Sequence, residues 1–240
     1  MTDSENGWKN SADAWIKRID EGDPNREYLL DPVMLGLCGD VAGKRVLDAG
    51  CGEGRFCRML SAKGAITTGV DPTAKLIAAA RQRHPKGEYI MGLAERMPFK
   101  PGTFDLVVSY VALVDIAGYK EAIREMADML KPGGKLVVAN LTSFATATTT
   151  GWARGADREK LHWTMDHYMM ERGVWADWCG IRIINHHRPL SAYMKAFLGC
   201  GLVLEFFDEP VPTAEQLSFA PSLDDSSKKP DFVVMRWRKG

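Results

Sequence analysis

The sequence has no surplus of charge of either sign. Its 31 Lys and Arg balance 31 Asp and Glu across 240 residues, for a formal net charge of zero. A protein that holds nucleic acid by its phosphates shows a basic excess or a basic stripe. Here the cations are spread along the chain, apart from a small group at Arg236, Arg238 and Lys239, so a nucleic-acid partner is not expected. No apolar run approaches the ~18 residues that cross a bilayer. Met1 to Asn10 is polar and lacks the apolar stretch of a signal peptide. The five cysteines, Cys38, Cys51, Cys57, Cys179 and Cys200, are odd in number and form no CxxC pair. That argues against a disulfide framework and a cysteine zinc site. His162 and His167 are five apart, the wrong spacing for one metal-binding helix face, and no HExxH pattern occurs. The expectation is a cytoplasmic protein with reduced thiols, no metal and no membrane partner. Oligomeric state is left open.

What is present is strand–helix alternation. Short apolar or β-branched runs at 45–49, 66–70, 88–91, 104–109, 135–141, 202–207 and 232–237 read as seven strands. Helical patterns occupy 55–62, the segment after Thr73, 119–130 (Tyr119, Ala122, Ile123, Met126 and Leu130 on one face) and 190–198. Lys131-Pro132-Gly133-Gly134 breaks the third of these, and Gly201 ends the last. This order predicts an α/β fold: a seven-stranded, mostly parallel sheet with helices on both faces. The regular pattern stops after Leu141. Residues 142–188, dense in Trp, Met, His and Tyr, read as a helical cap inserted after the fifth strand, and 209–230 as a loop.

The first strand runs into Val46-Leu47-Asp48-Ala49-Gly50-Cys51-Gly52-Glu53-Gly54. Glycines at a strand-to-helix turn let backbone approach a ligand closely. A dinucleotide fingerprint needs a small residue three positions after Gly52, and that position is Arg55. Asp48, just before the loop, would repel a pyrophosphate; it suits a ligand that carries positive charge. Asp71 ends the second strand about 20 residues past the loop, where a carboxylate can accept both hydroxyls of a ribose.

These residues resemble the class I S-adenosylmethionine-dependent methyltransferases over about residues 40–141. The glycine loop is similar to that family's first motif, and Gly69-Val70-Asp71 to its ribose motif. Gly92-Leu93-Ala94-Glu95-Arg96-Met97-Pro98-Phe99 resembles the adenine segment of the menaquinone/ubiquinone-biosynthesis-type subgroup. Phe104 to Ser109 and Leu130-Lys131-Pro132-Gly133-Gly134 resemble its fourth strand and the signature before its fifth. The resemblance implies a Rossmann-like fold in one domain: a lid over 1–40, a cofactor core over 41–141, a substrate cap over 142–188, and a closing helix and strands over 189–240. It implies S-adenosylmethionine as cofactor, with S-adenosylhomocysteine as product. The implied cofactor contacts are Asp48, Gly50, Gly52, Gly54, Asp71, Pro72, Leu93, Ala94, Glu95, Ser109, Tyr110 and, from the lid, Trp15 and Arg26. The family often has Asp where this chain has Leu93, so the Ala94 backbone or Glu95 is the expected substitute.

The implied chemistry is methyl transfer to a small organic acceptor, with oxygen the expected atom. His187, in Asn185-His186-His187-Arg188-Pro189-Leu190, is similar to a His-Arg-Pro-Leu stretch of small-molecule members. It reads equally as a base facing the substrate or as a satisfied helix-entry residue. Tyr110, following the fourth strand, is a candidate for positioning, and Asp115 a weaker one. Trp152, Trp163, Trp175 and Trp178 suit a flat apolar substrate or a small core of their own. The rivals are a tRNA or other nucleic-acid methyltransferase and a non-catalytic cofactor-binding module. The first is disfavoured by Ser109-Tyr110-Val111-Ala112, where amine-directed enzymes carry Asn/Asp-Pro-Pro-Tyr/Phe, and by the absence of a Pro-Cys pair.

Overall fold

The computed structural model describes residues 7–240. The chain opens with α1 (Trp8–Glu21), a π-helical segment (Asn25–Leu30) and α2 (Asp31–Cys38). It then alternates through β1 (Arg45–Ala49), α3 (Arg55–Ala62), β2 (Ile66–Asp71), α4 (Ala74–Arg83), β3 (Glu88–Met91), β4 (Phe104–Tyr110), α5 (Tyr119–Met129) and β5 (Leu130–Leu141). Next come α6 (Ser143–Thr146) and the strands β6 (Trp152–Arg154), β7 (Lys160–Trp163), β8 (Arg172–Trp178) and β9 (Ile181–His187). The remainder is α7 (Leu190–Gly199), β10 (Leu202–Asp208), α8 (Ala214–Phe219), a 3-10 segment (Pro221–Ser227) and β11 (Phe232–Lys239).

The seven expected strands form one sheet, in the order β10-β11-β5-β4-β1-β2-β3. The pairs β3–β2, β2–β1, β1–β4 and β4–β5 are parallel, and β11 is antiparallel to both β5 and β10. The strand order reverses between β1 and β4. Ligands of open α/β sheets bind outside the carboxyl ends of the strands at that point.

Period-2 alternation divides the core. Leu47, Val107 and Val138 face one layer with Ile123 and Met126 of α5 and Phe197 of α7. Val46, Val108, Tyr110 and Val137 face the other, with Met34 of α2 and Phe56 and Leu60 of α3. Trp237 and Phe197, both fully buried, stack at 4.8 Å between ring centroids.

Three expectations are corrected. The cap is not helical: apart from the four-residue α6 it consists of two antiparallel hairpins, β6–β7 and β8–β9. Ile181 and Ile183 alternate with exposed Arg182, and positive φ at both Cys179 (49°) and Gly180 (77°) supplies the backbone of a tight hairpin turn. The stretch 209–230 is not a plain loop, since Thr213 and Gln216 form a reciprocal capping box that starts α8, followed by the 3-10 segment. The fifth strand starts early: its partners jump from Phe104↔Leu130 to Leu106↔Lys135, so residues 131–134 bulge out of a strand they were expected to precede.

Replacing Trp237 by Ala should destabilise the protein by about 3–5 kcal/mol through lost burial and a cavity. Trp237→Phe should cost markedly less, because the buried indole nitrogen it removes has no hydrogen-bond partner. Urea denaturation midpoints of the two variants should fall in that order.

Candidate active site

At the carboxyl ends of β1 and β4 lies a cavity of about 620 Å³. Its floor is backbone. The amides of Gly50 and Cys51 both donate to the Val70 carbonyl, at 2.8 and 3.0 Å. The Gly52 amide donates to Asp71 Oδ2 at 3.0 Å, and Asp71 Oδ1 accepts from the Thr73 amide at 2.8 Å. Asp71 therefore pins the glycine loop to the end of β2. The same carboxylate lines the cavity. Gly50 has φ 83°, and a Cβ there would lie 2.4 Å from that of Ala112; Gly52 has φ 55°, with the Trp15 indole nitrogen over its face.

Alternation puts Asp48 on the α3 side of β1. Its Oδ2 accepts from the Cys57 thiol at 3.5 Å, while the buried Oδ1 has no partner. Burial, reinforced by neighbouring Asp71 and Glu53, pushes its carboxyl up to about 7 against the pull of the Cys57 hydrogen bond and Arg26. Arg26, in the first turn of the π-helical segment, lines the same cavity. Its guanidinium lies 4.9 Å from the Trp15 ring centroid and 4.7 Å from that of Tyr110, with Asp23 at 3.5 Å. Tyr110 presents its ring rather than its hydroxyl, which donates to Asp31 at 2.7 Å. Asp31 also receives Arg55, the residue that broke the dinucleotide pattern. Pro72, Ala94, Glu95 and the 44% exposed Leu93 form another wall.

The opposite wall comes from α1 and from the hairpins that follow β5. Trp15 stands edge-on to both Trp8 (5.6 Å) and Trp178 (6.2 Å), linking α1 to β8. Trp152 and Trp163 close the far end together with Phe232 and Lys229, whose ammonium lies 4.2 Å from the Trp163 centroid. Trp175 is 49% exposed and does not line the cavity. Asp115, a weaker candidate from sequence, sits on this wall, accepting from the Trp8 indole at 3.2 Å and the Asn185 amide at 2.7 Å.

Three expected residues are not brought to the site. Gly54 caps α3, and a Cβ there would meet the Tyr89 ring at 2.8 Å; it serves packing rather than the cavity. Ser109 is fully buried on the opposite side of β4 from Tyr110, as strand alternation requires. His187, 1% exposed, has both ring nitrogens engaged: Nε2–H donates to the Tyr168 carbonyl at 2.8 Å, and Nδ1 accepts from Thr146 at 2.9 Å. With its protonation disfavoured by burial and no free lone pair, it is the satisfied helix-entry residue rather than a base. Arg18 and Asn185, which the sequence did not single out, line the cavity. Arg18 Nε is buried without a partner.

Burial also pushes Asp115 up to about 7. For Asp48 and Asp115 the folded state holds a proton that the unfolded chain releases near 4, so stability falls as pH rises from about 4 to about 7 and then levels. The wild-type loss of stability across that window should exceed that of Asp48→Asn in urea titrations at stepped pH. Parallel curves would show that Asp48 ionises at its ordinary value.

Residues 47–138 match the methyltransferase domain family. The crystal structure of an S-adenosylmethionine-dependent methyltransferase from Mesorhizobium loti superposes with a TM-score of 0.81, at 27% identity over 91% of this chain and 99% of that one. A malonyl-[acyl-carrier protein] O-methyltransferase of Pectobacterium atrosepticum is 27% identical over 58% of this chain and 55% of its own length. A demethylmenaquinone methyltransferase of Renibacterium salmoninarum is 34% identical over 46% of each. The chain thus spans about half the length of these two curated relatives. Among the described residues no helix is long and apolar enough to cross a membrane, and no cluster of three or more His, Cys, Asp or Glu could hold a metal. The matched segment, the sheet order and the glycine loop at the strand switch agree: over residues 47–138 this chain is similar to the methyltransferase domain family, and its fold is that of an S-adenosylmethionine-dependent methyltransferase.

Proposed function

We propose that the protein transfers a methyl group from S-adenosylmethionine to a small organic acceptor, at oxygen. The carrying observation is one continuous cavity that runs from Asp48, Gly52 and Asp71 to the tryptophans of the cap.

The residues fit the cofactor. The unpartnered Asp48 Oδ1 suits its ammonium, and Arg26, fixed between Trp15 and Tyr110, its carboxylate. Asp71 lines the cavity at the end of β2, where ribose hydroxyls would lie, and the 93–95 segment with Pro72 provides an adenine wall. When bound, the sulfonium supplies an already activated methyl group. The chain's task is then to align the acceptor and exclude water. α1 packs on β9 and α4, so lid and cap close together over the site. Trp8, Trp152, Trp163 and Trp178 offer a flat acceptor apolar surface and ring edges. The relatives, named for a malonyl thioester carrier and for demethylmenaquinone, favour a non-nucleic-acid acceptor. The second of them, with residues 92–99, supports the quinone-biosynthesis-type subgroup.

Calorimetry tests this. Wild type should bind S-adenosylmethionine, and Asp71→Ala should bind it about tenfold or more weakly, a loss of about 1.4 kcal/mol. Affinity should rise with pH through about 7 as Asp48 ionises, and Asp48→Asn should flatten that dependence. No wild-type binding, or unchanged binding by Asp71→Ala, would contradict the assignment.

A further inference from the structure

The loop joining β4 to α5 is held under constraint. Val111 has φ 54°, a left-handed value that a β-branched residue adopts only when its surroundings impose it. Three residues from elsewhere in the chain grip the loop. Arg188, 3% exposed, donates to the carbonyls of Leu113 (3.0 Å), Ile116 and Ala117 (3.1 Å), and its guanidinium lies 4.2 Å from the Tyr119 ring centroid. The His186 amide donates to the Val114 carbonyl at 2.7 Å, and Asn140 Oδ1 accepts from the Val114 amide at 3.0 Å. The side chain that this arrangement aims is Asp115.

Each Asp115 oxygen accepts one hydrogen bond, Oδ2 from Trp8 of the lid and Oδ1 from Asn185 of the cap. About two lone-pair directions remain, on a carboxylate that forms part of the cavity wall. An Asn at this position could join lid and cap without the cost of burying an ionisable group. The carboxylate is therefore left unexplained by packing alone.

The geometry points to Asp115 as the catalytic carboxylate that receives the acceptor's hydroxyl proton, with Trp8, Asn185 and Arg188 as positioning residues. This rests on the methyl-transfer reading and specifies its acceptor as a hydroxyl compound. The acceptor oxygen forms the new O–CH3 bond as the C–S bond breaks, its electron pair going to sulfur. The hydroxyl proton passes to Asp115 and from there to water. The groups facing Asp115 agree with this role. Burial raises its carboxyl to about 7, Asp71 adds to the rise, and the Asn185 and Trp8 donors with Arg26 oppose it. His186, held near 4 by burial and Arg188, is neutral there, and Arg188 is directed at loop carbonyls. A base that titrates near neutrality balances availability against proton affinity.

The test uses the full chain saturated with S-adenosylhomocysteine, isotope-labelled aspartate carboxyl carbons, and β-naphthol as the hydroxyl probe. Of the carboxyl resonances that titrate near neutral pH, one should vanish in Asp115→Asn and titrate higher in Asn185→Ala and Trp8→Phe, which each remove a donor. It should shift on addition of β-naphthol and not of naphthalene, and β-naphthol should bind about tenfold or more weakly to Asp115→Asn. If Asp115→Asn does not fold, Trp8→Phe carries the test, since its carboxylate is intact and should still respond to the probe. A resonance indifferent to β-naphthol, or undiminished binding by Asp115→Asn, overturns the assignment. Failure of S-adenosylhomocysteine to bind, read first by calorimetry, overturns the methyl-transfer reading itself.

Discussion

The Asp71 carboxylate, accepting from the Gly52 amide and the Thr73 amide, is the constraint on which the site depends. It fixes where the turn after β1 lies relative to β2, so that backbone rather than side chains forms the cavity floor. With the floor fixed, the Trp15 indole settles over Gly52 and holds one face of Arg26 while Tyr110 holds the other. The same anion that organises the loop also borders the space a ligand would occupy. Buried carboxylates are costly unless compensated, and here the loop amides provide part of the compensation.

Charge compensation elsewhere makes Asp48 distinctive. Glu53, 2% exposed, receives Arg58 and Arg83, each at 2.7 Å. Asp31 receives Arg55 and the Tyr110 hydroxyl. Asp48 has only a thiol on one oxygen and nothing on the other. A site built this way is short of one cation, and the ammonium and sulfonium of the proposed cofactor supply positive charge without a phosphate.

The sheet was legible because its strands are short apolar runs separated by glycine turns and amphipathic helices, and each run pairs as expected. The cap was not. Trp175 and Trp178 stand at exposed positions of β8, and the residues between them are at most half-buried, so apolar and polar residues do not alternate with burial. The usable signals were the Ile181–Ile183 alternation and the Cys179-Gly180 turn. At the site, position along the chain told which backbone arrives but not where each side chain points. Ser109 and Tyr110 are neighbours on opposite faces of β4, and His187 ends a cap strand with its ring satisfied from α6 and Tyr168. Asp115 was only weakly legible because its two donors lie 107 and 70 residues away. No local pattern records such a meeting of lid, core and cap.

A crystal structure with sinefungin, an S-adenosylmethionine analogue bearing an amine at the methyl-transfer position, tests the account most directly. Its amino-acid ammonium should lie against Asp48 Oδ1, its carboxylate at Arg26, its ribose hydroxyls at Asp71, and the amine should point toward Asp115 and the cap tryptophans. A ligand bound away from the β1–β4 switch, or with its amine turned from the cap, would contradict it.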